Sequence, residues 1–323
     1  LADYTYSEIK EYRQQRMGLA SKDHFELNLL HDELIVKAVR ISIDRIKEEL
    51  GEPPTSFCFF VMGSAGRFEQ SVWSDQDHGI IFQEDSKLAQ NYFLKLGKEI
   101  AQGLFIAGYP FCDGGVMAGN PLWCKSLNEW SVQLKNWIYE PSWESIRHLL
   151  IFMDGRSLAG EDLFIKELKR EACSLIHKEH LLARLLDNTM LLKKGVGLLG
   201  QFLTETHGPH SGLLNIKEKA LYPYVNAVRI LALKECITDS STLSRLQKLS
   251  EASIPASKRL LYEKQFYQLL DFRLQFGDHS NYDSGHFLLV SKLSAHQKKA
   301  VKEVIKNGPH LYQFVRKLVE KEP

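Results

Sequence analysis

The chain is poor in the residues that would make it a secreted scaffold or a zinc protein. It has five cysteines in 323 residues, an odd number, at Cys58, Cys112, Cys124, Cys173 and Cys236. None forms a C-x-x-C pair, so the spacing predicts neither a disulfide framework nor a thiolate zinc site but reduced thiols in a reducing compartment. No apolar run approaches the roughly 18 residues needed to cross a bilayer. The N-terminus, "LADYTYSEIKEYRQQR", is polar and amphipathic and does not read as a secretory signal. Net charge is also lacking: 41 basic residues oppose 40 acidic ones, leaving a formal +1. That balance argues against a dedicated nucleic-acid binder. There is no repeat of fixed period and no low-complexity tract. The expectation is a cytoplasmic protein, and a start at Leu1 in place of Met suggests a fragment of a longer one.

What is present is an ordinary globular composition, 44% hydrophobic and 25% charged, with length enough for two domains. The stretch 31–50, "HDELIVKAVRISIDRIKEEL", repeats apolar residues at three- and four-residue spacing and stops at Gly51 and Pro53-Pro54. Two short runs rich in β-branched and aromatic residues follow, "SFCFFVM" (56–62) and "HGIIF" (78–82), both bounded by turn signals. Helical periodicity returns over 86–106, and the glycine-rich "GYPFCDGGVMAGNP" (108–121) leaves room for one short strand. Beyond it nearly everything reads as helix: 126–138, 142–153, 161–199, 215–236, 258–276 and 295–319. The layout is a small α/β domain and then a helical bundle, with the seam near 155–160.

The chemistry concentrates in "VMGSAGRFEQSVWSDQDHGIIF" (61–82). Side chains at i and i+2 of a strand share a face, so Asp75 and Asp77 are expected to leave one sheet edge together. Two carboxylates held that close repel unless a cation lies between them, and Mg²⁺ commonly takes one or two carboxylates plus substrate phosphates. The preceding strand runs into Gly63-Ser64-Ala65-Gly66-Arg67, where glycines let backbone N–H groups approach phosphate oxygens. Arg67 offers a fork of charged donors, either to a phosphate or to the turn itself. A phosphate cradle beside a metal platform is what nucleotidyl transfer requires.

The string "GSAGRFEQSVWSDQDHGIIF" resembles the active-site signature of the DNA polymerase β-type nucleotidyltransferase superfamily, and more closely that of nucleotidyltransferases related to the PII-protein uridylyltransferase. Further similarity covers "CDGGVMAGNPLW" (112–123), "FMDGRSLAG" (152–160), "NIKEKALYPYVNAVRILAL" (215–233) and "STLSRLQKL" (241–249). The resemblance implies an α+β polymerase β-like nucleotidyltransferase domain with a helical N-terminal extension over 1–155. An all-α helical-bundle domain over 156–323 would follow and bind substrate. It implies metal-dependent use of a nucleoside triphosphate, with Mg²⁺ or Mn²⁺ on Asp75 and Asp77, and places Gly63, Ser64 and Arg67 at the nucleotide. Such proteins are often fused to CBS domains, and no CBS pair is legible in this sequence.

A third carboxylate normally completes such a site. Asp113, at the entrance to the strand candidate "GGVMAG", is preferred, and Asp154, beside Arg156 in "FMDGR", competes with it. Glu69 reads as a partner for Arg67, while Gln70 and His78 read as structural. Trp123, Trp130 and Trp137 recur every seven residues, the spacing of a packing stripe. Lys217, at a helix start, is a candidate phosphate contact, although relatives often carry an acidic residue where Asn215 stands. His207 and His210 lack a third ligand and read as a polar loop. Asn120 is either near the nucleotide or part of a plain loop. The function expected is transfer of a nucleoside monophosphate to a hydroxyl of a protein or small molecule, with pyrophosphate released. A regulatory protein partner is plausible by the resemblance, and neither a membrane nor nucleic acid is expected. Two rivals are a nucleotide-sensing module that has kept the fold without the chemistry, and a transferase acting on RNA ends.

Overall fold

A computed structural model describes residues 4–190 and 192–321. Residue 191, within the stretch 161–199 expected to be helical, and the chain ends, which bound both expected domains, lie outside the described residues. The chain separates into two compact units, residues 1–70 with 74–175 and residues 71–73 with 176–323. The expected seam near 155–160 is therefore displaced, because a strand expected in neither domain completes the first unit's sheet.

The first unit contains α1 (Tyr6–Ala20), α2 (His24–Leu50), β1 (Phe57–Val61), α3 (Gly63–Gly66), β2 (His78–Phe82), α4 (Lys87–Ile106), β3 (Cys124–Ser126), α5 (Leu127–Tyr139), α6 (Trp143–Met153) and β4 (Arg156–Gly160). It also holds most of α7 (Leu163–Lys178). The sheet order is β3-β2-β1-β4; β1 is antiparallel to both neighbours and β2 is parallel to β3. Both central strands are buried, which is why their sequences read as unbroken apolar runs. Alternation along β1 sorts its aromatic rings onto two faces. Phe57 meets Phe93 of α4 on one face, and Phe60 meets Trp130 of α5 and Phe152 of α6 on the other. Trp123, Trp130 and Trp137 are buried with ring centroids about 6 Å apart, a packing stripe as the spacing implied.

The second unit is mostly helical: α8 (Leu182–Asn188), β5 (Leu214–Asn215), α9 (Tyr222–Lys234), α10 (Thr242–Lys248), α11 (Ala256–Phe276), β6 (Phe287–Leu288) and α12 (Ala295–Val319). It is not all-α, since β5 and β6 pair antiparallel with Asn215 opposite Phe287. Helix α9 is buried on nearly every side, and Tyr224 at its start donates to Gln265 Oε1 on α11 at 2.9 Å. A helix apolar all round belongs at the centre of a bundle. Among the cysteines, Cys58, Cys112 and Cys124 carry free thiols. Cys173 and Cys236 are each disulfide-bonded, which corrects the expectation of five reduced thiols and removes the argument from cysteine usage to compartment. Among the described residues no helix is long and apolar enough to cross a membrane.

Candidate active site

Strand β1 ends at Val61, and the next residues turn through α3, a single helical turn. Gly63 has φ +55°, a conformation that a side chain makes costly. A Cβ there would also overlap the Asp77 carboxylate. Gly66 is held to the same minimum by a different neighbour, since its Cβ would strike the carbonyl of Asp154. The two glycines thus let the turn close down on a carboxylate and on the end of α6 at once. The half-buried Gly63 and Ser64 contribute first-turn N–H groups, which have no acceptor inside so short a helix.

Asp75 and Asp77 precede β2, which begins at His78, but the extended run starts earlier than the strand. Met62 N–H donates to Asp77 O at 2.8 Å, and Gln76 bridges in parallel to Phe111. Burial alternates along the run: Gln76 and His78 are buried while Asp75 and Asp77 are only partly covered. The buried pair locks the register. Gln76 Nε2 donates to the carbonyls of Ala101 and Tyr109, both at 3.1 Å. His78 Nδ1 accepts from Ala118 N at 3.1 Å, so the proton rests on Nε2, which donates to Gln76 Oε1 at 3.0 Å. Burial pushes the His78 imidazole down to about 3 and keeps it neutral. With both inward side chains fixed, the two aspartates must share the opposite face.

Their carboxylate oxygens and the Cys112 sulfur all lie within 4.8 Å of one another. The third member of the cluster is thus a thiol and not the expected carboxylate. Burial, and then the neighbouring Asp77 charge to which it is hydrogen-bonded, push the Cys112 thiol up to about 12. Asp113, one residue on, is exposed and outside this cluster. The segment 114–119 forms a turn and no strand, because the third strand of the sheet is Cys124–Ser126. Asp154 is fully buried, but its partner is Arg67 at 2.7 Å and not Arg156. Arg156 instead bonds Asp32.

Arg67 also bonds Glu69 at 2.8 Å and is buried, so its Nε and one terminal nitrogen are engaged inside the protein. Burial opposes its charge, but Glu69 and Asp154 outweigh that and raise its pKa. Of the two roles open to Arg67, these two bonds serve the turn. Ser64 Oγ lies 3.3 Å from Ser74 Oγ, which accepts from Gln70 Nε2 at 3.1 Å. Asn120 spends its amide on Gly115 O and its carbonyl on Leu122 N, the pattern of a plain loop. Lys217 is in the second unit, where its ammonium donates to His286 Nε2 at 2.8 Å. Gln76 and Cys112 were the residues missed from sequence; the alternation Asp-Gln-Asp-His was the available signal for the first.

Residues 12–144 match the family described as "Putative nucleotidyltransferase DUF294", and residues 179–319 match "Putative nucleotidyltransferase substrate binding domain". The chain belongs to this family. Its two matched segments cover the turn, the aspartate pair and most of the helical unit. No curated protein matches the chain.

Proposed function

We propose that this chain transfers a nucleoside monophosphate from a nucleoside triphosphate to a hydroxyl of a protein or small-molecule acceptor. The observation that carries the reading is the convergence of Asp75 and Asp77, with Asp77 seated against the glycine of the turn. Two hard carboxylates on one face suit Mg²⁺ or Mn²⁺, which expect phosphate oxygens to fill the remaining positions. When bound, such an ion supplies charge neutralisation to the triphosphate and polarises the attacking hydroxyl. Gly63 and Ser64 offer N–H groups to the phosphates, and Arg67 holds the turn that aims them. The acceptor hydroxyl gives up its proton to solvent as its oxygen bonds to the α-phosphorus, the bond from that phosphorus to the β-bridging oxygen breaks, and pyrophosphate leaves. Similarity to the PII-protein uridylyltransferase favours a regulatory protein as acceptor, with UTP or ATP as donor.

A second reading rests on the cluster's composition. A thiol stands where a base carboxylate is expected, Asp113 is exposed, and Asp154 is committed to Arg67. That arrangement favours a module that senses nucleotides and turns over weakly. The two readings separate in one assay. The protein and an Asp75→Ala/Asp77→Ala variant are incubated with Mg²⁺ or Mn²⁺, cell lysate and each α-labelled triphosphate. Label on an acceptor with the intact pair alone is the expected result. Nucleotide binding without labelled product supports the sensing module, and equal labelling by both proteins removes the aspartates from the mechanism.

A further inference from the structure

Cys112 reaches the aspartates through backbone pairing. The loop at 110–118 is stitched to the run 76–78 at several points. Gln76 N donates to Pro110 O at 3.3 Å, and Gln76 bridges in parallel to Phe111. His78 N donates to Val116 O at 3.0 Å, and Ala118 N donates to His78 Nδ1 at 3.1 Å. Between these anchors Gly115 N closes a turn on Cys112 O at 3.0 Å. The sulfur is therefore carried by a fixed segment.

Paired residues of a bridge point to one side, and their neighbours along each chain to the other. Gln76 Nε2 reaches the carbonyl of Ala101 on α4, and Phe111 stacks on Phe105 of the same helix with ring centres 4.7 Å apart. Both members of the bridge thus face α4. Asp77 and Cys112, each one residue further on, are left on the opposite side with Asp75. The three ligand atoms lie within 4.8 Å of one another, and all three residues are only partly covered. Two atoms bound to one ion, at about 2.0–2.2 Å for oxygen and about 2.3 Å for sulfur, stand at most about 4.5 Å apart, so small side-chain movements close this cluster on an ion.

We propose, building on the metal reading of Asp75 and Asp77, that Cys112 is the third protein ligand of that ion and moves its preference from Mg²⁺ towards Mn²⁺ and later first-row ions. The thiol already bonds the Asp77 carboxylate. A dication takes the place of the bridging proton, which passes to solvent as the sulfur binds as thiolate. Mg²⁺ is served by oxygen donors, whereas thiolates favour ions of the zinc type, and affinity at mixed sites rises from Mn²⁺ through Co²⁺. Three protein ligands with further positions left open are also the pattern of a catalytic metal centre; structural centres are closed.

Co²⁺ reads the bond directly, because a thiolate ligand gives it an intense near-ultraviolet charge-transfer band that carboxylates do not. The full chain is titrated with Co²⁺ anaerobically and without reductant, which leaves the disulfide-bonded Cys173 and Cys236 as they are. The other free thiols, Cys58 and Cys124, are buried, so the band reports on Cys112. The parent chain should show the band, and Asp75→Asn/Asp77→Asn should lose it. Cys112→Ser should also lose it and bind Co²⁺ at least about tenfold more weakly, while its Mg²⁺ affinity, measured calorimetrically, stays that of the parent. The parent's band is read on the unaltered chain, so it decides the matter even where a variant folds poorly. Co²⁺ held through the aspartates without the band, or a band that survives Cys112→Ser, overturns the role of Cys112 and leaves the aspartate reading standing. Absence of Co²⁺, Mn²⁺ and Mg²⁺ binding by the parent defeats both.

Discussion

Arg67 shows how a charged residue beside a candidate site can be tied into the protein's own ion network. Its guanidinium spans Glu69, two residues away, and Asp154, at the end of α6, and all three side chains are buried. Removing one partner of a buried ion network leaves the others as uncompensated charges, a loss of about 3–5 kcal/mol. Arg67→Met should therefore lower stability by that order, read as a shift in the denaturant midpoint. Neutralising all three positions together, with Glu69→Gln and Asp154→Asn added, should recover much of the loss. An Arg67→Met protein as stable as the parent would show that the network contributes nothing. Cys112 is the complementary case, since it stands beside the aspartates yet its sequence context reads only as one of five scattered thiols.

At the scale of elements, most of the first unit was legible because its signals are local. The apolar repeat over 31–50 lies within α2, which starts earlier, at His24, behind the N-cap Asp23. The periodic stretches 86–106, 126–138 and 142–153 became α4, α5 and α6 within a residue or two, each opening on a serine cap. The two central strands were readable from unbroken apolar runs. The outer strands were not: β3 has three residues, and β4, "RSLAG", is only partly buried and has no alternation to detect. Its role comes from pairing with β1, a partner nearly a hundred positions earlier, which no window of sequence can see. The single helical region expected over 161–199 failed differently. Helix α7 stops at Lys178, His180 turns to φ +51°, α8 runs only to Asn188, and no described residue beyond it up to 199 is helical, where Gly195 and Gly197 lower the propensity. In the site, the i, i+2 rule put Asp75 and Asp77 on one face, but the third partner depends on how the loop at 110–116 folds back. That is tertiary information, and it is why the sequence offers Asp113 and Asp154 for the place that Cys112 takes.

For the molecule as a whole, the histidines held most firmly neutral among the described residues are His78 and His286, both depressed to about 3, by burial at His78 and by burial and then neighbouring positive charges at His286, while burial lowers His148 as well. A histidine with a lowered folded-state pKa takes protons more readily when unfolded. Its contribution to stability is complete above the unfolded value near 6.5 and drains away as the pH falls towards 3. The His78 share approaches about 1.4 kcal/mol per pH unit below 6.5. Melting temperature should thus fall between pH 7.5 and 5.5, and His78→Asn should flatten that dependence, whereas an unchanged slope would mean that His78 titrates normally in the folded chain. The central claim concerns metal, and Mn²⁺ binding followed by electron paramagnetic resonance in the presence of a triphosphate tests it most directly. Loss of outer groups around a metal already costs about 10–100-fold in affinity, so loss of the ligands themselves should cost no less. The parent chain should bind Mn²⁺ together with nucleotide, and Asp75→Asn/Asp77→Asn should bind at least about tenfold more weakly while melting at the same temperature or higher. Equal Mn²⁺ affinity in the two folded proteins would contradict the account.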